Sequence, residues 1–183
     1  DQYERQSAFI KRYRNINQFK VLEIGAGSGG FLKHLHSNYG CKVYFDEYSD
    51  EATGVLFDQG DLSEDTLEEK NYDLIVLRHV LEHINDIQRF LTTIHSKISE
   101  NGILFVEVPD WSFFDEETDP LIFEHLSQFT LKSLMAFFTN NFWSVVAFEN
   151  SICRNDPATP NRVLRLMASP PKDKYNLGYD LNR

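Results

Sequence analysis

Apolar positions along this chain recur in two patterns that alternate from one end to the other. Nearly continuous apolar runs bounded by turn residues are typical of buried strands, whereas apolar residues three and four positions apart form one face of a helix. The runs predict strands at Lys20–Ile24, Lys42–Glu47, Gly54–Phe57, Tyr72–Leu77, Ile103–Val108, Phe142–Glu149 and Arg162–Met167. Helical spacing or helix-compatible composition predicts helices at Gln2–Tyr13, Ser28–Ser37, Ser63–Lys70, Ile87–Ile98 and Leu131–Phe138.

This alternation predicts an α/β fold built on a parallel or mostly parallel sheet. The last two strands have no helix between them, because residues 155–161 contain two prolines and no helical pattern. That gap permits an antiparallel last strand. A length of 183 residues fits one domain. The polar, turn-rich segment 170–183 is predicted to be a tail or a linker.

Charge and composition disfavour several classes of partner. The chain has 28 acidic and 18 basic residues, and its net charge of −10 repels phosphate backbones. We therefore do not favour nucleic acid as a substrate. No apolar run is long enough to span a bilayer, so no membrane partner is expected. The two cysteines fit a reducing compartment and form no metal pattern, so we expect a cytoplasmic location.

The turn after the first predicted strand, VLEIGAGSGGFL at residues 21–32, is the most informative segment. Gly25, Gly27 and Gly30 satisfy the G-x-G-x-x-G fingerprint, in which bare backbone and helix N-terminal N–H groups approach a nucleoside ligand. The glycines alone leave an NAD-dependent oxidoreductase open. Glu23 argues against it, because a carboxylate at this position would repel a pyrophosphate and attract an ammonium or sulfonium group.

A second acidic residue is expected about 20 positions after such a turn, where a carboxylate accepts hydrogen bonds from both hydroxyls of a ribose. Glu47 lies at that distance from Gly27. Its neighbour Asp46 stays an alternative, because only one of two adjacent strand residues can face the ligand.

These segments resemble those of class I S-adenosylmethionine-dependent methyltransferases, whose first motif reads E/D-x-G-x-G-x-G. Residues 60–62 (GDL) resemble the family's adenine-binding segment, and residues 72–84 (YDLIVLRHVLEHI) resemble its segment around the fourth strand. The resemblance implies a Rossmann-like fold with a seven-stranded, mostly parallel sheet, an antiparallel last strand and helices on both faces. It also implies one S-adenosylmethionine-binding domain over residues 1–169, and we expect the N-terminal helix to contribute a lid.

S-adenosylmethionine is the cofactor that this resemblance implies. In the family, the first acidic residue and the glycines lie against the methionine portion, and the aspartate of the G-D segment accepts from the adenine amino group. The matching cofactor-binding residues in this chain are Glu23, Gly25, Ala26, Gly27, Glu47, Asp61, Leu62, Arg78 and His79.

Residues 121–130 (LIFEHLSQFT) resemble the E-H-L-x-x-F-T/S segment of a subgroup that includes sugar C-methyltransferases and enzymes of glycan and natural-product pathways. We predict methyl transfer to oxygen, nitrogen or carbon of a small-molecule acceptor. His125 is the first candidate for a catalytic base and His83 the second. A structural role for His125 stays open, as does a non-catalytic relative with this fold. The oligomeric state is not predicted.

Residues 79–83 also resemble the E-x-x-E-H sequence of some RNA 2′-O-methyltransferases, which bind a divalent metal with it and a distant histidine. Here His79 replaces the first glutamate, followed by Glu82 and His83. That change and the net charge of −10 disfavour a metal-assisted RNA enzyme, which stays an alternative with Glu82, His83 and His125 as the available ligands. We therefore expect no resident metal.

Overall fold

The computed structural model of the chain describes residues 1–48, 56–58, 71–114, 124–152 and 162–171. Its strands are β1 (Lys20–Ile24), β2 (Lys42–Tyr48), β3 (Leu56–Asp58), β4 (Tyr72–Arg78), β5 (Ile98–Pro109), β6 (Ser144–Ile152) and β7 (Arg162–Ser169). Its α-helices are α1 (Gln2–Lys11), α2 (Gly30–Tyr39), α3 (Ile87–Lys97) and α4 (Leu131–Asn140). Two short 3₁₀ turns, Leu81–His83 and Trp111–Phe113, follow β4 and β5.

Among the described residues, these strands form one sheet in the order β3-β2-β1-β4-β5-β7-β6. β1 pairs in parallel with β2 and β4, and β4 pairs in parallel with β5. β7 is antiparallel to both of its neighbours, β5 and β6. The predicted mostly parallel sheet with an antiparallel last strand is therefore confirmed.

The edge strand β3 is antiparallel to β2. Only residues 49–55 connect the two strands. A parallel crossover needs a dozen or more residues, whereas an antiparallel pair can be joined by a short loop. The length of the connection therefore accounts for the direction of β3.

Several predicted boundaries are wrong: α1 ends at Lys11 rather than at Tyr13, and β6 covers Ser144–Ile152 rather than Phe142–Glu149. Two further differences have a cause that is visible in the backbone. α2 begins at Gly30 rather than at Ser28, because Gly29 has a φ of 69° and caps the helix in the left-handed region. Gly102 does not precede β5 but lies inside it, since the strand begins at Ile98 and continues through an irregularity in its pairing with β4. The predicted helix at 63–70 lies outside the described residues.

Helices cover both faces of the sheet, as predicted. On one face, α1 and α2 bury Phe9, Ile10, Phe31, Leu32 and Leu35. On the other, α3 and α4 bury Phe90, Leu91, Ile94, Leu134 and Phe138. Side chains alternate between the faces along each strand, so odd-numbered residues of β1 and β5 meet the first layer and even-numbered residues the second. None of the helices in the described ranges has the length and apolar composition needed to cross a bilayer.

Candidate functional site

The turn between β1 and α2 has a backbone conformation that favours glycine. Gly25 and Gly27 have φ angles of 68° and 56°. A Cβ atom on Gly25 would lie 2.6 Å from Cγ2 of Val80, whereas a Cβ on Gly27 would meet no described atom within 4 Å. Ala26, between them, is buried. The turn is therefore packed at its first glycine and open at its second, where a ligand can approach the backbone.

Glu23 is fully buried in β1, and only Ile24 separates it from this turn. Its Oε1 accepts a hydrogen bond from Nε of Arg78 at 2.6 Å. Its Oε2 is buried and has no hydrogen-bond partner among the described residues. Burial raises the pKa of Glu23 to about 7, although the charge of Arg78 opposes this. One carboxylate oxygen thus remains available to a cation or an N–H group of a ligand.

The N-terminal helix α1 lies against the same turn. The guanidinium of Arg78 lies 5.5 Å from the ring centroid of Tyr3 in α1 and 5.0 Å from that of Phe31 in α2. The hydroxyl of Tyr3 lies against Gly30 so closely that a Cβ atom at this glycine would overlap it. Helix α1 therefore covers one side of the turn through direct contacts.

Five charged residues of alternating sign cross the sheet near this edge, one on each of five strands. Following the spatial order β1, β4, β5, β7 and β6, this charged row consists of Glu23, Arg78, Glu107, Arg165 and Glu149. Nε of Arg165 donates to Oε2 of Glu107 at 2.6 Å, and its Nη1 donates to Oε1 of Glu149 at 2.9 Å. Every charged side chain of the row therefore has at least one partner of opposite sign.

Helix α1 is fastened to the charged row. The buried Gln6 donates from Nε2 to Oε1 of Glu107 at 2.7 Å, and Arg12 donates to Oε2 of Glu149. Burial by itself would raise the pKa of Glu107, but hydrogen bonds from His79 and Arg165 and their charges lower it to about 2. Glu107 is therefore a firmly ionised carboxylate between Arg165 and helix α1.

The two central residues of this row, Glu107 and Arg165, are not among the residues predicted from the sequence. Glu107 and Arg165 each interrupt an otherwise apolar strand, in ILFVEVP at 103–109 and in VLRLM at 163–167. A charged residue at a core-facing position of a strand is the signal that could have identified them, because buried charges are retained only when they are paired.

His79 links the charged row to a second group of polar residues. It has a φ of 54°, which is uncommon for a residue other than glycine. Its Nε2 lies 3.6 Å from Oε1 of Glu107, and its Nδ1 lies 3.4 Å from Oε1 of Glu82. Positive φ values in bulky residues are often found at functional sites.

Glu82, His83 and His125 form a compact cluster beyond the end of β4. One ligating atom from each residue lies within 4.8 Å of the other two, and the two imidazole centroids are 4.9 Å apart. Two hydrogen bonds join the 3₁₀ turn to the segment that carries His125. Nδ1 of His83 donates to the carbonyl of Glu124 at 2.8 Å, and the N–H of Ser127 donates to the carbonyl of Glu82 at 3.0 Å.

The polar atoms of this cluster are incompletely satisfied. Glu82 is 1% exposed, and neither of its carboxylate oxygens has a hydrogen-bond partner among the described residues. Nδ1 of His125 is also buried without one. Burial lowers the pKa of His125, which favours the neutral imidazole. The Nδ1 donation by His83 leaves its Nε2 with a free lone pair.

The structure brings most of the predicted residues together. Around the glycine turn and the end of β4 it assembles Glu23, Gly25, Ala26, Gly27, Arg78 and His79. His83 and His125 meet in the cluster, although 41 positions separate His83 from the neighbouring Glu124.

Three predicted cofactor-binding residues are not described at the level of side chains. The backbone of Glu47 lies near the end of β2, but the structure does not describe its side chain or that of Asp46. Asp61 and Leu62 lie outside the described residues.

Comparison with known proteins identifies the family. A family profile described as a methyltransferase domain matches residues 2–147. The chain belongs to this methyltransferase family. The predicted class I S-adenosylmethionine-dependent methyltransferase, with S-adenosylmethionine as its cofactor, is thereby confirmed. The oxidoreductase that the glycine turn alone left open is set aside.

Two curated relatives match about half of this methyltransferase. A hybrid PKS-NRPS synthetase from Penicillium citrinum is 32% identical over 108 residues, which cover 49% of this chain and 3% of the synthetase. A ubiquinone biosynthesis O-methyltransferase from Rhizobium etli is 29% identical over 108 residues, covering 52% of this chain and 43% of the enzyme. The chain thus spans less than half the length of these relatives.

Solved structures share the fold over nearly the whole chain. A phosphoethanolamine N-methyltransferase from Haemonchus contortus has a TM-score of 0.66 at 13% identity, covering 92% of this chain and 52% of that protein. A SAM-dependent methyltransferase from Methanosarcina mazei has a TM-score of 0.64 at 15% identity, covering 90% and 98%. At these identities the likeness concerns the fold.

The residues present fit the cofactor. The partnerless Oε2 of Glu23 suits the ammonium group of a methionine moiety, and the open space beside Gly27 admits ligand atoms close to the backbone. A carboxylate at this place would repel a dinucleotide's pyrophosphate, in agreement with the family match.

Proposed function

We propose that this chain transfers the methyl group of S-adenosylmethionine to a small-molecule acceptor. The observation that carries the proposal is the proximity of two incompletely satisfied sites at one sheet edge. Val80 lies against Gly25 of the cofactor turn, and Glu82 of the cluster follows two residues later. His79, between them in sequence, contacts both the charged row and Glu82.

The cofactor side of the site is the glycine turn with its carboxylate. When bound, S-adenosylmethionine supplies a methyl group that its sulfonium activates. Glu23 accepts a hydrogen bond from the ammonium group through Oε2, while Arg78 holds Oε1 in place. Arg78 and His79 line the methionine end. Helix α1 acts as a lid over this side and excludes water.

Glu47 and the segment at Asp61 and Leu62 complete the cofactor site in this proposal. Glu47 accepts from the ribose hydroxyls, and Asp61 accepts from the adenine amino group. The support is the family resemblance of these positions together with the place of Glu47 near the carboxyl end of β2. Open α/β sheets bind their ligands at that edge.

The acceptor side is the Glu82–His83–His125 cluster. His125 is the first residue to which we assign activation of the acceptor, and His83 is the second. Both imidazoles are partly accessible, and the partial burial of His125 lowers its pKa and so favours its neutral, lone-pair-bearing form. Positioning of the acceptor in line with the methyl group is the other contribution expected from the protein.

A small molecule is the acceptor class that the observations favour. The net charge of −10 opposes an extended phosphate backbone, and several curated relatives are named as O-methyltransferases of ubiquinone biosynthesis. An intermediate of a glycan or natural-product pathway is the expected acceptor, from the resemblance of residues 121–130.

Binding and turnover measurements test this function. We expect calorimetry to detect binding of S-adenosylmethionine and S-adenosylhomocysteine but not of NAD. A screen of small-molecule acceptors, monitored by release of S-adenosylhomocysteine, would then identify a substrate. Binding of NAD alone would contradict the cofactor assignment, and methylation of RNA with no small-molecule turnover would contradict the acceptor class.

Variants separate the two halves of the site. We expect His125→Gln to lower kcat by about 100-fold or more and to leave S-adenosylhomocysteine affinity unchanged, because the acceptor side alone is altered. His36→Ala, at an exposed histidine of α2, is the matched control and should keep full turnover. Unchanged turnover in His125→Gln and in the corresponding His83→Gln variant would contradict the assignment of acceptor activation.

A further inference from the structure

We propose that Glu82, His83 and His125 bind one divalent transition-metal ion of the zinc class. The binding itself is independent of the function proposed above, whereas the role given to the ion below rests on that function. The inference departs from the expectation, drawn from sequence, that no metal is resident.

The spacing of the three side chains suits a shared ion. Their ligating atoms lie within 4.8 Å of one another. Zinc binds nitrogen and oxygen ligands at about 2.0–2.2 Å, so atoms that share a tetrahedral ion lie about 3.3–3.5 Å apart. Small side-chain rotations would close the remaining difference. The hydrogen bonds from His83 to Glu124 and from Ser127 to Glu82 already hold the two backbone segments together.

The buried carboxylate is the second, independent observation. Glu82 is 1% exposed, and both of its oxygens lack a hydrogen-bond partner among the described residues. Nδ1 of His79 lies 3.4 Å from Oε1, but this contact does not meet the geometry of a hydrogen bond. Burial of a polar group without partners costs free energy, and native proteins satisfy nearly all such groups. A cation at the cluster would supply the interaction that the Glu82 oxygens lack.

His83 has the orientation of a metal ligand. Its Nδ1 donates to the carbonyl oxygen of Glu124 at 2.8 Å, which leaves the lone pair on Nε2. Histidines that ligate metals commonly donate their other ring N–H to a backbone carbonyl or a carboxylate, because this fixes the tautomer and the ring. Nδ1 of His125, which has no hydrogen-bond partner among the described residues, offers a second imidazole nitrogen at the same place.

The donor set indicates the class of ion. Two imidazoles and one carboxylate suit Zn²⁺ and its neighbours in the first transition row, whereas Mg²⁺ and Ca²⁺ prefer oxygen ligands. Three protein ligands are also typical of zinc sites that keep one coordination position for water or substrate.

The ion would activate a hydroxyl acceptor. Coordination to a divalent ion lowers the pKa of a bound hydroxyl, as it lowers that of water to about 7. The deprotonated oxygen then forms a bond to the methyl carbon, the carbon–sulfur bond breaks with its electron pair left on sulfur, and the acceptor proton passes to solvent. In this arrangement His83 and His125 act as metal ligands rather than as free bases. The acceptor atom is the oxygen of a hydroxyl group.

Metal titration of the full chain tests the site. Protein treated with a chelator and dialysed would be titrated with Co²⁺, followed by its visible absorption, and with Zn²⁺, followed by calorimetry. We expect one equivalent to bind, and Glu82→Gln, His83→Ala and His125→Ala each to weaken binding at least tenfold. His36→Ala should bind as the unmodified chain does. Absence of one-equivalent binding, or equal binding in all three cluster variants, would overturn the proposal.

Measurements of cofactor binding and of turnover distinguish a failure of the metal site from a failure of the proposed function. Binding of S-adenosylhomocysteine to each variant shows that it is folded, and Glu82→Gln changes almost no volume. If the chelated protein binds this ligand but no metal ion, the metal site is overturned and the proposed function stands. If it binds the metal ion but neither cofactor nor product, the function fails and the site stands. Equal turnover with and without metal would overturn the role in acceptor activation.

Discussion

The charged row and the Glu82–His83–His125 cluster are both built from buried charged or polar side chains, yet they are satisfied in different ways. In the row, each charged residue meets one of opposite sign, and Gln6 adds a further hydrogen bond to Glu107. Nη2 of Arg165 and Oε1 of Gln6 lack a partner among the described residues, but every charge of the row is paired. In the cluster, the carboxylate oxygens of Glu82 and Nδ1 of His125 are buried and have no hydrogen-bond partner in the part of the chain that the structure describes.

This difference indicates a structural role for the charged row and a binding role for the cluster. A paired network fixes strands and helix in one arrangement, because moving any member leaves another charge buried alone. A group of convergent polar atoms without partners is unfavourable until something binds to it. Glu23 combines the two roles: Arg78 holds one of its oxygens, and the other oxygen has no hydrogen-bond partner among the described residues.

The largest effect is expected from breaking the row at Arg165. Arg165→Met leaves Glu107 buried opposite an apolar side chain, and we expect the free energy of unfolding to fall by about 3–5 kcal/mol. Chemical denaturation measures this loss. The double variant Glu107→Gln with Arg165→Met removes both charges and should recover most of the stability. Equal destabilisation in the single and double variants would show that the pairing is not the source of the effect.

The cluster should respond with the opposite sign. Glu82→Met replaces an incompletely satisfied buried carboxylate with an apolar side chain of similar size, so we expect the metal-free chain to gain about 1–3 kcal/mol in stability. Denaturation in the presence of chelator measures the gain. With Zn²⁺ present, the advantage should shrink or reverse, because the unmodified chain alone keeps its full set of ligands. A loss of stability without metal would mean that Glu82 is satisfied within the protein.

Glu23, which has one paired and one unpaired carboxylate oxygen, should make cofactor affinity depend on pH. Its pKa of about 7 means that the carboxyl is largely neutral at pH 6 and ionised at pH 8, and only the ionised form attracts an ammonium group. We expect S-adenosylhomocysteine affinity to rise up to tenfold over this interval, as measured by calorimetry. Glu23→Gln should bind more weakly at pH 8 and show no such rise. Glu107, whose charge also acts on Glu23, stays ionised throughout this interval.

The same ionisation should affect stability in the opposite direction. The pKa of Glu23 in the folded chain lies above its ordinary value of 4.5, so the neutral form is the one that folding favours. Its contribution to stability is present below pH 4.5 and is lost as the pH rises through 7. Because S-adenosylhomocysteine is expected to bind more tightly at pH 8 than at pH 6, this ligand should raise the melting temperature more at pH 8. A larger rise at pH 6 would contradict this.

The smallest loss of stability is expected from a substitution at Arg12, where the charged row reaches solvent. The side chain of Arg12 is 57% exposed beside Glu149, and exposed ion pairs contribute little because water screens them. Arg12→Ala should lower stability by less than about 1 kcal/mol, as measured by denaturation. A loss comparable to that of Arg165→Met would show that helix α1 depends on this contact more than on Gln6.

Patterns along the sequence predict the sheet well because its strands are short apolar runs separated by clear turns. They misplace the start of α2, since the left-handed Gly29 cap is not visible in apolar spacing. They also leave Glu107 and Arg165 unconnected, because the facing of two charged strand residues 58 positions apart depends on the register between strands.

The candidate site likewise has one part that the sequence predicts and another that depends on contacts between distant segments. The glycine turn with Glu23 is local in sequence and could be predicted from it. The meeting of His83 with His125 depends on the loop segment that returns to the end of β4, and only a family resemblance pointed to both residues. That the Glu82 oxygens lack hydrogen-bond partners within the described ranges is a property of the packed structure, which no sequence pattern reports.

The attachment of α1 has a consequence for the order in which the chain can fold. Gln6 and Arg12 are made early, but their partners Glu107 and Glu149 lie 101 and 137 positions later. Contacts so distant in sequence form late and slow folding, because a long loop must close before they contribute. As the chain leaves the ribosome, Tyr3 can therefore meet Gly30 and Phe31 long before the charged row can hold α1. The attachment of α1 to the sheet would be complete only after β7 and β6 have joined it and Arg12 has met Glu149.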